Sequence, residues 1–156
     1  MTGDSDHAYG TSMTDDEIEA VLYEHGTATL SLSQDGEAYG IPVSYGYDGD
    51  RDRCLLDLGF GPESRKRSFI ETTDRGCLTV YEWDSPTEWR SVVVQGSVRK
   101  LDEELDDGLE ELYYEHATDV AISVFDRPPE TIELQWYEFA IDEFSGRASA
   151  NSDAAE

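Results

Sequence analysis

The hydrophobic positions of this chain change period several times, and each change marks an element. Ile18, Val21, Leu22 and His25 recur at helical spacing behind Thr14-Asp15-Asp16-Glu17, a capping-box pattern. They predict a short amphipathic helix over about Thr14–His25, with Gly26 as its stop. Alternation then takes over. Thr27–Ser33 and Ala38–Tyr47 predict two strands joined by the turn Gln34-Asp35-Gly36-Glu37, where Gly supplies a positive φ. Pro42 inside the second strand marks an edge, a bulge or a departure from regular pairing. Arg53–Leu58 predicts a third strand after the turn Asp48-Gly49-Asp50, and Ser64–Thr72 a short helix. Gly76–Trp83 and Arg90–Leu101 predict strands joined by the polar loop Asp84–Glu88. Leu101, Leu105, Leu109, Leu112, Tyr113 and His116 form the apolar stripe of a longer helix, about Asp102–Thr118, and Thr131–Ile141 predicts a last strand.

Six strands in successive hairpins, with three connecting helices, predict a mainly β fold: an antiparallel sheet that curls into a barrel. Residues 1–13 and 148–156 read as loose polar tails around one domain over 14–147. A chain of 156 residues has room for one full core. No internal repeat is visible. No run of about 18 apolar residues occurs, so no membrane span is expected. The first residues form neither a basic nor an apolar segment, so no signal peptide is expected and the protein reads as cytoplasmic.

Charge changes the picture more than length does. There are 36 acids against 11 bases, a formal net charge of −25, and the pI is near 4.1. With 38% hydrophobic and 11% aromatic residues the chain still carries enough core material to fold. Nucleic acid is a poor partner for a chain without a basic face. The acids are dispersed, and the only lysines are Lys66 and Lys100. This points to a high-salt cytoplasm, where salt screens the self-repulsion and charge maintains solubility. Cys54 and Cys77 sit in apolar runs without CxxC spacing, and read as small core residues rather than a metal or redox pair.

Against that background, Arg65-Lys66-Arg67 places three of eleven bases in a row. Gly59 and Gly61 read as a flexible loop before them, and Pro62 and Ser64 suit a helix start. Backbone N–H groups at a helix start, with Arg and Lys beside them, favour an anion. The pattern reads as a phosphate clamp; the competing reading is local ion pairing with Glu63 and Glu71. A second position is Arg90-Ser91, opening a strand that closes at Gly96. It can set a guanidinium and a hydroxyl beside a ligand, or it is a sheet edge with a solvated charge. His7, His25 and His116 show no nucleophile or metal spacing, and no GxGxxG or Walker pattern is present. No catalytic residue and no metal site are assigned.

Gly40-Ile41-Pro42-Val43-Ser44-Tyr45, Leu55-Leu56-Asp57-Leu58, Ser64-Arg65-Lys66 and Arg90-Ser91-Val92-Val93-Val94-Gln95-Gly96, in this order, resemble the pyridoxamine 5′-phosphate oxidase-like, FMN-binding split-barrel superfamily. The likeness spans about Thr14–Arg147 and is nearest to the nitroimidazole-resistance-type subgroup, in a haloarchaeal version. It implies a six-stranded antiparallel split β-barrel and a homodimer with FMN at the subunit interface. By position it places Arg65 and Lys66 on the FMN phosphate. Pro42, Val43 and Ser44 then lie along the isoalloxazine ring and Leu58 near the phosphoribityl chain. Ser91, with Arg90 beside it, reaches the flavin from the fifth strand, and Trp136 and Arg147 come from the C-terminal region. Two departures matter. Asp57 stands where the subgroup often has His, and Asp142–Arg147 lacks the Arg-x-His region of true pyridoxamine phosphate oxidases. Vitamin B6 oxidation is therefore not expected. The implied function is a flavin-dependent oxidoreductase of unknown substrate. The alternatives are a non-catalytic flavin-binding protein for storage or sensing, or a deazaflavin-dependent reductase on the same fold. Tyr45, Tyr47, Trp83 and Trp89 read as aromatics that need a partner's cover.

Overall fold

The computed structural model describes residues 10–61, 65–73, 75–101, 108, 111, 113 and 133–150. Thr11–Ser12 form β1, Asp15–Glu24 α1, Thr27–Gln34 β2 and Glu37–Asp48 β3. A 3-10 turn, Gly49–Arg51, leads to β4, Arg53–Phe60. Arg65–Thr72 form α2, followed by β5 (Gly76–Ser85), β6 (Glu88–Lys100) and β7 (Glu133–Ala148). The strands run β7-β4-β3-β2-β5-β6, and β6 pairs back onto β7. Every pairing is antiparallel, so six strands form a ring, with β1 added on β7. This is the expected antiparallel six-stranded barrel. The expected helix over Asp102–Thr118 lies almost wholly outside the described residues.

Two ladders are short. β4 pairs only with Tyr45–Asp48 of β3, and β5 pairs only with Thr29–Ser31 of β2. The first half of β3 therefore has β2 as its described neighbour, and Pro42 sits there, opposite Thr29 in regular register. A residue without an N–H is tolerated at such a local edge.

Alternation explains the core. Val43, Tyr45 and Tyr47 point inward from β3, Leu56, Leu58 and Phe60 from β4, and Val92 and Val94 from β6. Full burial of each such side chain stabilises the fold by roughly 1.5–3 kcal/mol. Helix α1 closes one end with Ile18, Val21 and Leu22. Its capping box is complete: Glu17 N donates to Thr14 Oγ1 at 3.2 Å and Thr14 N to Glu17 Oε1 at 2.8 Å. The helix ends at His25 in extended backbone. Tyr45 donates its hydroxyl to the Leu22 carbonyl at 2.8 Å, and Tyr47 to Glu19 Oε1 at 3.2 Å. Both tyrosines are thus satisfied within the chain, against the expectation that they need a partner's cover.

Two boundaries shift for identifiable reasons. The last strand runs to Ala148, not Ile141, because β7 carries a bulge. Gln95 faces Glu143 while Gly96 faces Ile141, leaving Asp142 as the extra residue. The bulge reverses which positions face inward, from Tyr137 and Phe139 to Phe144 and Gly146, so a strict period-two pattern ends there. A Cβ on Gly96 would lie 1.9 Å from the Ala140 carbonyl oxygen, so this glycine serves the bulge rather than a ligand's approach. At the other end Thr11 and Ser12 pair with Ala148 and Arg147, and Met13 is buried. Thr11–Ser12 therefore belong to the sheet, and the expected C-terminal tail is corrected as well: Ala148 ends β7, and Ser149 is buried and donates its N–H to the Trp89 carbonyl at 2.9 Å. Residues 1–9 and 151–156 lie outside the described residues.

Candidate functional site

The first turn of α2 gathers the three consecutive bases around aromatic rings. Lys66 Nζ donates to the Gly59 carbonyl at 2.7 Å and lies 5.7 Å from the centre of the Phe60 ring. Burial pushes its ammonium below the ordinary lysine pKa range. Arg67 also sits over that ring, 4.6 Å from its centre. Arg65 is exposed, 5.7 Å from the Tyr39 ring centre and 5.6 Å from that of Phe69. Tyr39 and Phe69 are stacked at 4.8 Å and 11°. Arg65 Nη2 donates to Glu37 Oε2 at 2.9 Å. The basic turn is thus built from β3, the end of β4 and α2. Gly59, expected in a loop, is a buried residue of β4, and its carbonyl anchors Lys66.

The second basic position is organised differently. Arg90 Nε donates to Glu82 Oε1, and its Nη2 to Glu24 Oε2 at 3.1 Å. His25 Nε2 lies 2.6 Å from Glu82 Oε2. The hydrogen bond from Arg90, the charge of Arg90 and the contact with His25 hold the Glu82 carboxyl below its usual range, against the opposing effect of burial. The same contact with Glu82 raises the Arg90 guanidinium further. Glu24, His25 and Glu82 offer ligand atoms within 4.8 Å of one another, yet Arg90 already bridges the two carboxylates as a cation. The cluster joins the end of α1 to the β5–β6 hairpin.

Across the outer face of the sheet a cross-strand row runs Pro42, Thr29, Thr79, Val93, Ser145. A second row runs Tyr81, Ser91, Arg147, Ser12. Trp83 faces Trp89 beyond it. In a chain where 30% of residues are charged, these rows carry one charge, Arg147. Arg147 Nη1 reaches Ser12 Oγ at 3.4 Å and Nη2 the Gly10 carbonyl at 3.3 Å.

The structure therefore sorts the residues singled out from sequence. Pro42, Ser91 and Arg147 share the outer face, and buried Ser44 follows the same strand parity as Pro42. Val43 and Leu58 face the core, at 4% and 3% exposure, so only their backbones are available to a ligand. Arg65 and Lys66 form the basic turn. Arg90 is committed to Glu82 and Glu24, on the face opposite Ser91. Trp136 pairs with Asp57 across β4–β7 and meets the Tyr113 ring edge-on at 4.9 Å. Glu37, Tyr39 and Phe60 complete the basic turn with Arg67, the third base of the run, and those three carried no ligand signal in the sequence. Glu37 read as a turn residue, and Arg65 pairs with it rather than with Glu71.

The chain belongs to the pyridoxamine 5′-phosphate oxidase family, which matches residues 14–148. An uncharacterized protein of Rhizobium meliloti is 27% identical over 89 residues, 57% of this chain; the match spans 56% of that protein's length. Among solved structures, a FAD-binding protein from Mesorhizobium loti superposes with a TM-score of 0.65 at 22% identity, covering 88% of this chain and 96% of that one. The FAD binding protein from Mycobacterium smegmatis gives 0.64 at 14%, covering 88% and 98%. A FAD and heme binding protein from the same organism gives 0.58 at 18%, covering 91% and 77%. At these identities the likeness is one of fold, the split barrel.

Proposed function

We propose that this protein is an FMN-binding flavoprotein that acts as an oxidoreductase on a small molecule. The observation that carries the reading is the basic turn. In a chain with 36 acids, Lys66 and Arg65 lie at a helix start, one anchored on Gly59 and the other on two rings. That arrangement fits a phosphate: an ammonium gives a point charge, a guanidinium a fork, and the helix start adds N–H groups. Family membership and the flavin-binding names of two fold neighbours point the same way.

When bound, the flavin ring supplies the electron transfer. The chain's own part is to bind and orient. Arg65 and Lys66 would hold the phosphate. The backbone of Pro42–Ser44 and the Ser91 hydroxyl would hold the ring, and Leu58 would contribute through its backbone, since its side chain packs in the core. No side chain then has to act as nucleophile. Arg90 drops out of this set, because its fork fixes Glu82 and Glu24.

The same proposal includes a homodimer with the flavin at its interface, to which Arg147 and Trp136 contribute. The nearly uncharged outer rows support it, as do Tyr81 and Trp83, which stay 60% and 54% exposed. A monomer at micromolar concentration, seen by light scattering in molar salt, would contradict it. The subgroup proposed is the nitroimidazole-resistance type, in a haloarchaeal host. Salt shortens the screening length from ~30 Å at 0.01 M to ~3 Å at 1 M. Melting temperature should therefore rise with KCl, and a flat profile would remove the high-salt origin. The cofactor itself is read by purifying the protein and identifying the extracted flavin by mass spectrometry. FMN is expected; a deazaflavin or no flavin would overturn the assignment.

A further inference from the structure

The basic turn contains a carboxylate that the phosphate reading does not use. Glu37 opens β3 directly after the tight turn at Asp35 and Gly36, both at positive φ (51° and 81°). Its Oε2 accepts from Arg65 Nη2 at 2.9 Å. Two residues on, Tyr39 lies under the same guanidinium and stacks on Phe69. The hairpin tip thus delivers an anion to the arginine that the rings hold in place. Both partners of the pair are about 60% exposed, at 62% and 61%, so the pair is weak and exchangeable. Lys66 donates to the Gly59 carbonyl.

We propose that Glu37 is a built-in competitor for the ligand's phosphate. Its carboxylate holds Arg65 until a phosphate-bearing ligand displaces it, so this hairpin tip sets the affinity of the subsite. This inference rests on the phosphate reading above. A phosphate dianion offers three acceptor oxygens against the two of one carboxylate, which makes the exchange favourable. Asp35, one turn residue away, adds negative charge at the tip and acts in the same direction.

The test is to titrate FMN and riboflavin into the unaltered protein and into Glu37→Gln, Arg65→Ala, and both together. Asp142→Asn is the control, since it removes an equal charge from the exposed pair with Arg75. Glu37→Gln should tighten FMN binding about two- to fivefold, leave riboflavin unchanged, and have no effect once Arg65 is Ala. Asp142→Asn should change neither flavin. If FMN binds and Arg65→Ala weakens it, but Glu37→Gln leaves it unchanged or weaker, the competitor role is wrong and the phosphate site stands. An equal effect from Asp142→Asn would also overturn the role, by making it general charge repulsion. If the unaltered protein does not prefer FMN over riboflavin, the phosphate reading and this inference fall together.

Discussion

Arg65–Lys66 and Arg90 are the same chemistry in two settings. Arg90 donates to two carboxylates, with a histidine on one of them. Lys66 meets a carbonyl and a ring, and Arg65 two rings and one exposed carboxylate. The first cation is neutralised inside the fold and holds α1 to the β5–β6 hairpin. The second stands at a helix start, where the carboxylate that Arg65 meets is exposed. The two regions differ in setting: a part-buried base fixed between two carboxylates, and an exposed one beside a single carboxylate.

Three stability measurements can break that contrast. The largest effect is expected for Arg90→Met, which leaves Glu24 and Glu82 facing each other without a cation. Breaking a buried pair costs about 3–5 kcal/mol; partial exposure reduces this to about 2 kcal/mol, read by urea unfolding. FMN affinity of the folded variant should stay within about twofold; a large loss would return Arg90 to the ligand site.

A smaller effect belongs to Glu82. Its pKa is depressed in the fold, so its contribution is present above the ordinary glutamate value of 4.5 and is lost as pH falls through the folded value. Glu82→Gln should therefore be less stable than the unaltered protein near neutral pH and lose less stability on acidification below about pH 4.5. Parallel pH profiles would show that Glu82 is not held by Arg90 and His25. The smallest effect is expected for Lys66→Met. Met keeps the apolar stem over Phe60 and removes an ammonium that burial disfavours. Losing the hydrogen bond to Gly59 should cost about 1 kcal/mol, and a loss as large as that of Arg90→Met would make Lys66 structural.

The strands were legible where an apolar run or an alternation was bounded by turn residues. Thr27–Gln34, Arg53–Phe60 and Gly76–Ser85 each match a predicted strand to within two residues. The pattern failed where geometry changes phase, at the Asp142 bulge, and where an element is too short to show a period, as in Thr11–Ser12. The basic turn was legible because Arg65-Lys66-Arg67 is contiguous. Its surroundings were not, because Glu37 and Gly59 reach it only through folding. The ion pairs of Arg90 were not legible for the same reason: Glu24 lies 66 residues away in sequence, and no local pattern announces that contact.

The central claim is that the start of α2 binds a phosphate. It is tested most directly by the ratio of FMN to riboflavin affinity in the unaltered protein and in Arg65→Ala/Lys66→Ala. Hydrogen bonds to charged groups contribute roughly 1.5–3 kcal/mol each. The double variant should therefore lose FMN affinity by about 10²-fold or more while riboflavin binding barely moves, and the preference should collapse. A folded double variant with an unchanged FMN-to-riboflavin ratio would contradict the claim and leave the three bases as local ion pairs.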